Sequence, residues 1–422
     1  MLDIKFIKEN ADLVRNAVKN KGEKANVDEL ITKDNRRVKI VKELDNLRAE
    51  KNRLSKEVRG LERNTPQFEK NVMESREIGN RIKKMEKELR ELKEEIRILS
   101  LWIPNIPHPS VPVGDEHANK IIREWGEKIE FSFKAKSHID LINDLGLIDF
   151  ERGAKISGTH FPCYVGIGAK LERALVNFML DYHIEKHGYK EMFPPFLNNR
   201  ETLTGTGQLP KLEDDMYYVE KDDMFLNPTA EPPVTNFHRN EILQENDLPI
   251  KYTAYTSCFR REAGSYGKET RGLKRVHQFN KVEMVKFVKP ENSYDELESL
   301  LNNAEEILQI LKIPYRVILL STGDMTFASA KTYDIEAYAP GSNEYLEVSS
   351  VSNFEDFQAR RMNIKYKSKS DGKLHFVHTL NGSGLATPRT YIAILENYQR
   401  EDGKIVVPDA LKPYMGGVEL IG

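Results

Sequence analysis

The chain has 422 residues, 39% hydrophobic and 31% charged, with a net charge of −2, which implies two domains of globular composition with an extended charged element. No apolar run reaches the roughly 20 residues a bilayer demands, and the start MLDIKFIKENADLVRNAVKNK lacks a signal core and is too acidic for a transit peptide. Two cysteines, Cys163 and Cys258, exclude a disulfide framework and a cysteine metal site, so a reducing cytoplasm is expected.

Charge is unevenly spread. Residues 33–99 hold 20 Lys/Arg and 14 Asp/Glu, a balance of +6 that leaves −8 for the rest. A basic extension on an acidic body suits contact with a polyanion, and a solvated coiled-coil surface would look similar. Val41, Leu44, Leu47, Leu54, Val58 and Leu61 trace one helical stripe, and Ile78, Ile82, Met85, Leu89, Leu92, Ile96 and Leu99 a second, in steps of 4 and 3. Between them Arg63-Asn64-Thr65-Pro66 marks a turn, with Pro66 expected to halt a helix. The pattern predicts an antiparallel helical hairpin over about 28–99, roughly 50 Å long at 1.5 Å per residue. The prolines of LWIPNIPHPSVPVG, from Pro104, set the boundary between domains at 1–103 and 104–422. His108 and His117 lie nearby without partner spacing for a metal.

Beyond the boundary, 169–187 reads as an amphipathic helix closed by Gly188, then a short strand and Pro194-Pro195. In MFLNPTAEPPVTNF, Thr229 and Glu231 share a face if extended; alone, this is a surface turn. In TSCFRREAGSYGKETRGLKRVHQFNKVEMVKF (256–287), two strands flank a charged loop with three glycines. Alternation puts Val276, Val282 and Met284 on one side, and His277, Phe279, Lys281 and Glu283 on the other. It also puts Arg260 and Glu262 on one face. Guanidinium forks suit phosphate and carboxylate, and Phe279 offers a ring for a base. In EYLEVSSVSNFEDFQARR (344–361), Glu347 and Ser350 are oxygen ligands of the kind Mg²⁺ takes, but their parity is opposite, so they converge only at a strand end or bulge. Last, LHFVHTLNGSGLATPRTYIAILENYQ (374–399) runs a strand into Asn-Gly-Ser-Gly, then a helix with Thr387 as cap and Pro388 at its first position, placing Arg389 in the first turn. There is no GxxxxGK[ST] and no GxGxxG after a strand.

Together these stretches resemble a class II aminoacyl-tRNA synthetase, specifically the seryl-tRNA synthetase family of bacterial type. The helix and strand to Phe193-Pro194-Pro195 resemble motif 1, Phe259-Arg260-Arg261-Glu262 to Glu283 motif 2, and Gly384-Leu385-Ala386-Thr387-Pro388-Arg389 motif 3. GTGQLPK (205–211), Thr229-Ala230-Glu231, RVHQFNKVE (275–283) and EVSS (347–350) fit as well. The resemblance implies an α+β fold, an antiparallel sheet flanked by helices behind a coiled-coil arm, and a homodimer built through motif 1. It implies a serine–tRNA ligase acting with ATP and Mg²⁺ on L-serine and tRNA(Ser), with tRNA(Sec) open as a second acceptor. Arg260 and Arg389 would be the catalytic pair, on the α- and γ-phosphates. Glu262 would bind adenine, Phe279 would stack on it, and Arg275 would assist at the phosphate tail. Arg261, Val348 and Ser349 complete the ATP set, and Glu347 and Ser350 would carry Mg²⁺. Thr229, Ala230, Glu231, Glu283 and Ser383 would line the serine pocket. Two departures stand out: Arg261 replaces a common serine, with parity pointing away from the site, and Thr387-Pro388 replaces Val-Gly. Cys163 fits no motif and is expected as a small core residue. An amino-acid ligase loading a carrier protein, and a non-catalytic coiled-coil RNA-binding protein, are the alternatives.

Overall fold

The computed structural model describes residues 1–263 and 271–422, so most of the charged loop expected between the two hairpin strands lies outside the described residues. They form two compact units, Met1–Pro104 and Asn105–Gly422.

In the first unit, short helices α1 (Ile4–Glu9) and α2 (Ala11–Asn20) precede the long α3 (Val27–Arg59) and α4 (Pro66–Leu101). Asn26 starts α3 by accepting the Glu29 amide, and Thr65 starts α4 by accepting that of Phe68. Pro66 therefore opens the second helix instead of halting the first; its fixed φ and missing N–H suit a first helical position. Ile40, Leu44, Leu47 and Leu54 bury against Ile78, Ile82 and Leu92. Val41, Val58 and Leu61, expected in the stripe, are only half-buried, and Ile40 takes the seam position. Lys33–Glu95 (2.7 Å), Arg36–Glu88 (2.9 Å) and Arg48–Glu86 (2.8 Å) cross between the helices and fix them antiparallel.

The second unit is built on an eight-stranded sheet. Its strands are β1 (Lys120–Trp125), β2 (Lys190–Met192), β3 (Ile250–Phe259), β4 (Gln278–Val288), β5 (Tyr315–Leu319), β6 (Lys331–Ala339), β7 (Glu344–Asn353) and β8 (His378–Ala386). They lie in the order β1-β5-β6-β7-β8-β4-β3-β2, antiparallel throughout except that the edge strand β2 runs parallel to β3. One face packs on three helices, α5 (Gly166–Glu185), α7 (Ser293–Ile310) and α9 (Thr387–Asn397), and the short helices α6 (Glu231–Thr235) and α8 (Phe357–Met362) pack on the other. Strand β4 shows the logic. Val282, Met284 and Val288 enter the helix-side core. Val285 and Phe287 enter a second core with Ala254, Val234, Ala359 and Met362. Lys281 and Glu283 continue that second face, and there the packing gives way to a cavity.

The Asn-Gly-Ser-Gly stretch is not a turn: β8 runs through it to Ala386. Gly382 allows this, since a Cβ there would lie 3.0 Å from Val351 Cγ2 on β7. The cap of α9 is Ala386, and Thr387 turns its hydroxyl to Glu172 and to the Asn280 carbonyl instead. Cys258 is fully buried, whereas Cys163 is only half-buried, on a short strand rather than in the core. No helix among the described residues is long and apolar enough to cross a membrane.

Candidate active site

A cavity of about 590 Å³ opens over the polar stretch of β4. At its Phe279 end, β3 has already stopped at Phe259, so Arg260 and Glu262 are not set by strand alternation. The Arg260 amide bonds the His277 carbonyl at 3.0 Å, and its Nε bonds the Pro228 carbonyl at 3.3 Å. This lays the guanidinium over the Phe279 ring, 5.2 Å from the centroid. Glu262 takes a left-handed φ of 51°, a conformation uncommon for a side-chain-bearing residue, and its carboxylate meets Arg275 Nη1 at 2.9 Å.

Four residues along β4, about 13 Å at 3.3 Å per residue, the character reverses. The Glu283 carboxylate is buried and accepts from Thr229 Oγ1 (3.0 Å) and Asn381 Nδ2 (3.0 Å), with Lys281 Nζ at 2.5 Å. Ser383 sits opposite Glu283 in register on β8. Thr229 and Glu231 are not on an extended surface turn: both are buried, and the chain bends straight into α6, whose first turn holds the prolines. Asn227 pins that bend through the Thr229 carbonyl (3.2 Å) and Thr256 Oγ1 (3.0 Å). Burial pushes the Glu231 carboxyl up to about 7, with repulsion from Glu283 in the same sense; Gln358, Lys281 and Gln208 pull the other way.

The third wall is β7, where one extra residue interrupts the register between Glu336↔Glu347 and Ile335↔Ser349. Before it Leu346 and Val348 face the helix-side core, and after it Val351 does. Glu347, Ser350 and Ser352 consequently share the cavity side. This is the bulge that convergence of Glu347 with Ser350 requires. Behind them, burial and the nearby Glu347 charge hold the Asp334 carboxyl well above its ordinary range, and Ser350 bonds to it. Arg389, in the first turn of α9, bonds the Glu347 carbonyl (2.9 Å) and carboxylate (3.2 Å). Its helix is tied to the rest through Glu172 on α5, which accepts from Thr387 and Asn280, linking the helix and strand that carry Arg389 and Phe279.

All the sequence-predicted site residues line this one cavity except three. Arg261 turns away, its Nε on the Met216 carbonyl at 2.9 Å and its guanidinium over Tyr217. Ala230 is packed into the second core, and Ser349 spends its hydroxyl on the Ser383 carbonyl at 2.7 Å. Thr229 and Glu231 on either side of Ala230, and Ser350 next to Ser349, face the cavity in their place. Sequence reasoning missed Asn381, Gln358 and Glu172 as partners. Gln208 sits inside the GTGQLPK stretch, but its role there had no signature of its own.

Residues 213–398 match the tRNA synthetase class II core domain (G, H, P, S and T), and residues 1–107 match the seryl-tRNA synthetase N-terminal domain. The serine–tRNA ligase of Geobacter sulfurreducens is 54% identical over 423 residues, covering 100% of both chains. That of a Geobacillus strain is 60% identical over 351 residues, 83% of each chain. The crystal structure of seryl-tRNA synthetase from Pyrococcus horikoshii complexed with ATP aligns with a TM-score of 0.93 at 41% identity, over 100% of this chain and 99% of that one. From the helical hairpin to the arginine at the start of α9, the whole length of the molecule shares one ancestry with these enzymes, and the chain belongs to the seryl-tRNA synthetase family.

Proposed function

We propose that the protein is a serine–tRNA ligase. The serine carboxylate attacks the α-phosphorus of ATP, the bond to pyrophosphate breaks, and seryl-adenylate remains; a ribose hydroxyl at the 3′ end of tRNA(Ser) then takes the seryl group and AMP leaves. One observation carries this: a guanidinium-and-aromatic end and a buried carboxylate end share one cavity about 13 Å apart along β4. A nucleotide fits the first and the ammonium and hydroxyl of an amino acid the second. Relatives named as serine–tRNA ligases, and the ATP held by the Pyrococcus enzyme, support it.

In this scheme Arg260 neutralises the α-phosphate as the carboxylate attacks, and Arg389 and Arg275 hold the outer phosphates. Phe279 and Glu262 take the adenine. Catalysis comes from placement and charge neutralisation, with no covalent nucleophile. Glu347 and Ser350, turned together by the bulge with Asp334 behind, form an oxygen donor set suited to Mg²⁺, which when bound neutralises phosphate charge. Thr229, Glu231, Glu283 and Ser383 surround the amino acid. A pocket built around a hydroxyl leaves its own polar groups unpaired when alanine enters, so alanine is rejected.

The hairpin α3–α4 holds tRNA(Ser) by backbone and shape, the usual basis of duplex RNA recognition. Phe193, 75% exposed before Pro194-Pro195, lies on the surface through which a homodimer forms. A cytoplasmic location follows from the substrates. The deciding experiment is serine-dependent ATP–pyrophosphate exchange with charging of tRNA(Ser) and tRNA(Sec) transcripts. Exchange with serine and charging of tRNA(Ser) are expected; no serine-dependent exchange refutes the assignment.

A further inference from the structure

Glu231 is held in an unusual way. It is 6% exposed, and each oxygen takes an amide N–H: Oε1 from Gln358 Nε2 at 2.7 Å, Oε2 from Gln208 Nε2 at 3.0 Å. Gln358, wholly buried on α8, has every polar group used. Its second N–H donates to the Thr206 carbonyl at 3.0 Å, and its Oε1 accepts from Thr379 Oγ1 at 2.7 Å. The amide can therefore sit only one way, because flipping it would set oxygen against both the Thr206 carbonyl and the Glu231 carboxylate. Gln208 is pinned in turn, accepting the Thr206 hydroxyl. Thr206 thus anchors both amides, one through its carbonyl and one through its hydroxyl.

We propose that Gln358, seconded by Gln208, is a positioning residue that fixes the orientation of Glu231 and favours its charged form, and so sets the affinity for serine. This rests on Glu231 being a serine-binding residue. Amides on the back of the carboxylate donate without themselves titrating, and leave its remaining lone pairs to accept from a ligand in the cavity. The charged groups that act on it are Glu283 and Lys281 from β4; Lys211 lines the same cavity, and Arg361 on α8 bonds the carbonyls of Thr204 and Leu209. Burial already lifts Glu231 to about 7, and Gln358 opposes the rise. Removing Gln358 raises it further. At pH 7 the carboxyl then stays protonated and binds an ammonium poorly, and raising the pH restores the charge.

The test is ATP–pyrophosphate exchange by the full chain against serine concentration, from pH 6.5 to 8.5, for wild type, Gln358→Met and Gln208→Met. Losing a hydrogen bond to a charged group predicts a serine KM for Gln358→Met raised about tenfold or more at pH 7. KM for ATP should not change, and the serine KM should fall back toward wild type by pH 8.5; Gln208→Met should show the same pattern more weakly. A wild-type serine KM across the range, or a loss confined to kcat with no change in pH profile, overturns the proposal. If thermal melts show Gln358→Met to be unfolded, Gln208→Met and Thr379→Val carry the same readouts. Absence of serine-dependent exchange in the wild type would instead overturn the assignment of the cavity.

Discussion

The hairpin and the cavity use the same chemical pairs to opposite ends. On α3 and α4, Arg48–Glu86 and Arg36–Glu88 lie in water, each side chain 41–52% exposed. Such pairs contribute about 0–1 kcal/mol each. On β4, Lys281 and Glu283 are 8% and 1% exposed, and loss of one partner strands the other as a buried charge, at a cost of about 3–5 kcal/mol. The hairpin's charges are therefore replaceable one at a time and remain open to a partner in solution. Those of the cavity are committed to one another and to whatever enters it.

Four changes break or sharpen that contrast. The largest effect comes from replacing residues 33–99 with a short linker, which the closeness of Lys33 to Glu95 permits. Charging of tRNA(Ser) should fall to background while pyrophosphate exchange persists; undiminished charging would end the role given to the hairpin. Arg260→Ala should lower kcat for exchange by about 10²–10³-fold, as loss of a group aimed at developing charge does, and leave the serine KM nearly unmoved. Full-rate exchange would remove Arg260 from the reaction. Lys281→Met should lower unfolding stability in urea by about 3 kcal/mol, since Glu283 is left without its cation. A loss within error of zero would mean Thr229 and Asn381 alone satisfy that carboxylate. Smallest is Arg48→Ala on the hairpin, expected to change stability by less than about 0.5 kcal/mol; a larger loss would show that the surface pairs act as a network.

Periodic features were legible in the sequence. The seam of α3 and α4 followed from spacing, and the faces of β4 from alternation, with Lys281 and Glu283 opposite Val282 and Met284. Features that break a period were not. Glu262 reaches its place through a left-handed φ that no glycine announces. Asn381-Gly382-Ser383-Gly384 has turn composition, yet close packing on Val351 makes it strand interior. Thr387 looks like a cap and serves instead as a tether for Glu172. Gln358, Gln208 and Thr379 come from three distant segments, and no spacing connects them. Resemblance to a family names the residues that meet a ligand, but the groups holding those residues in place appear only in the fold.

The extra residue on β7 works as a change of phase. Upstream of it odd-numbered side chains meet the cavity, and downstream even-numbered ones do, as Glu347, Ser350 and Ser352 show. A single insertion between Glu347 and Ser350, with the bulge kept, would swing one oxygen donor into the hydrophobic layer, whereas a single deletion would make the strand regular and leave both donors on the cavity side.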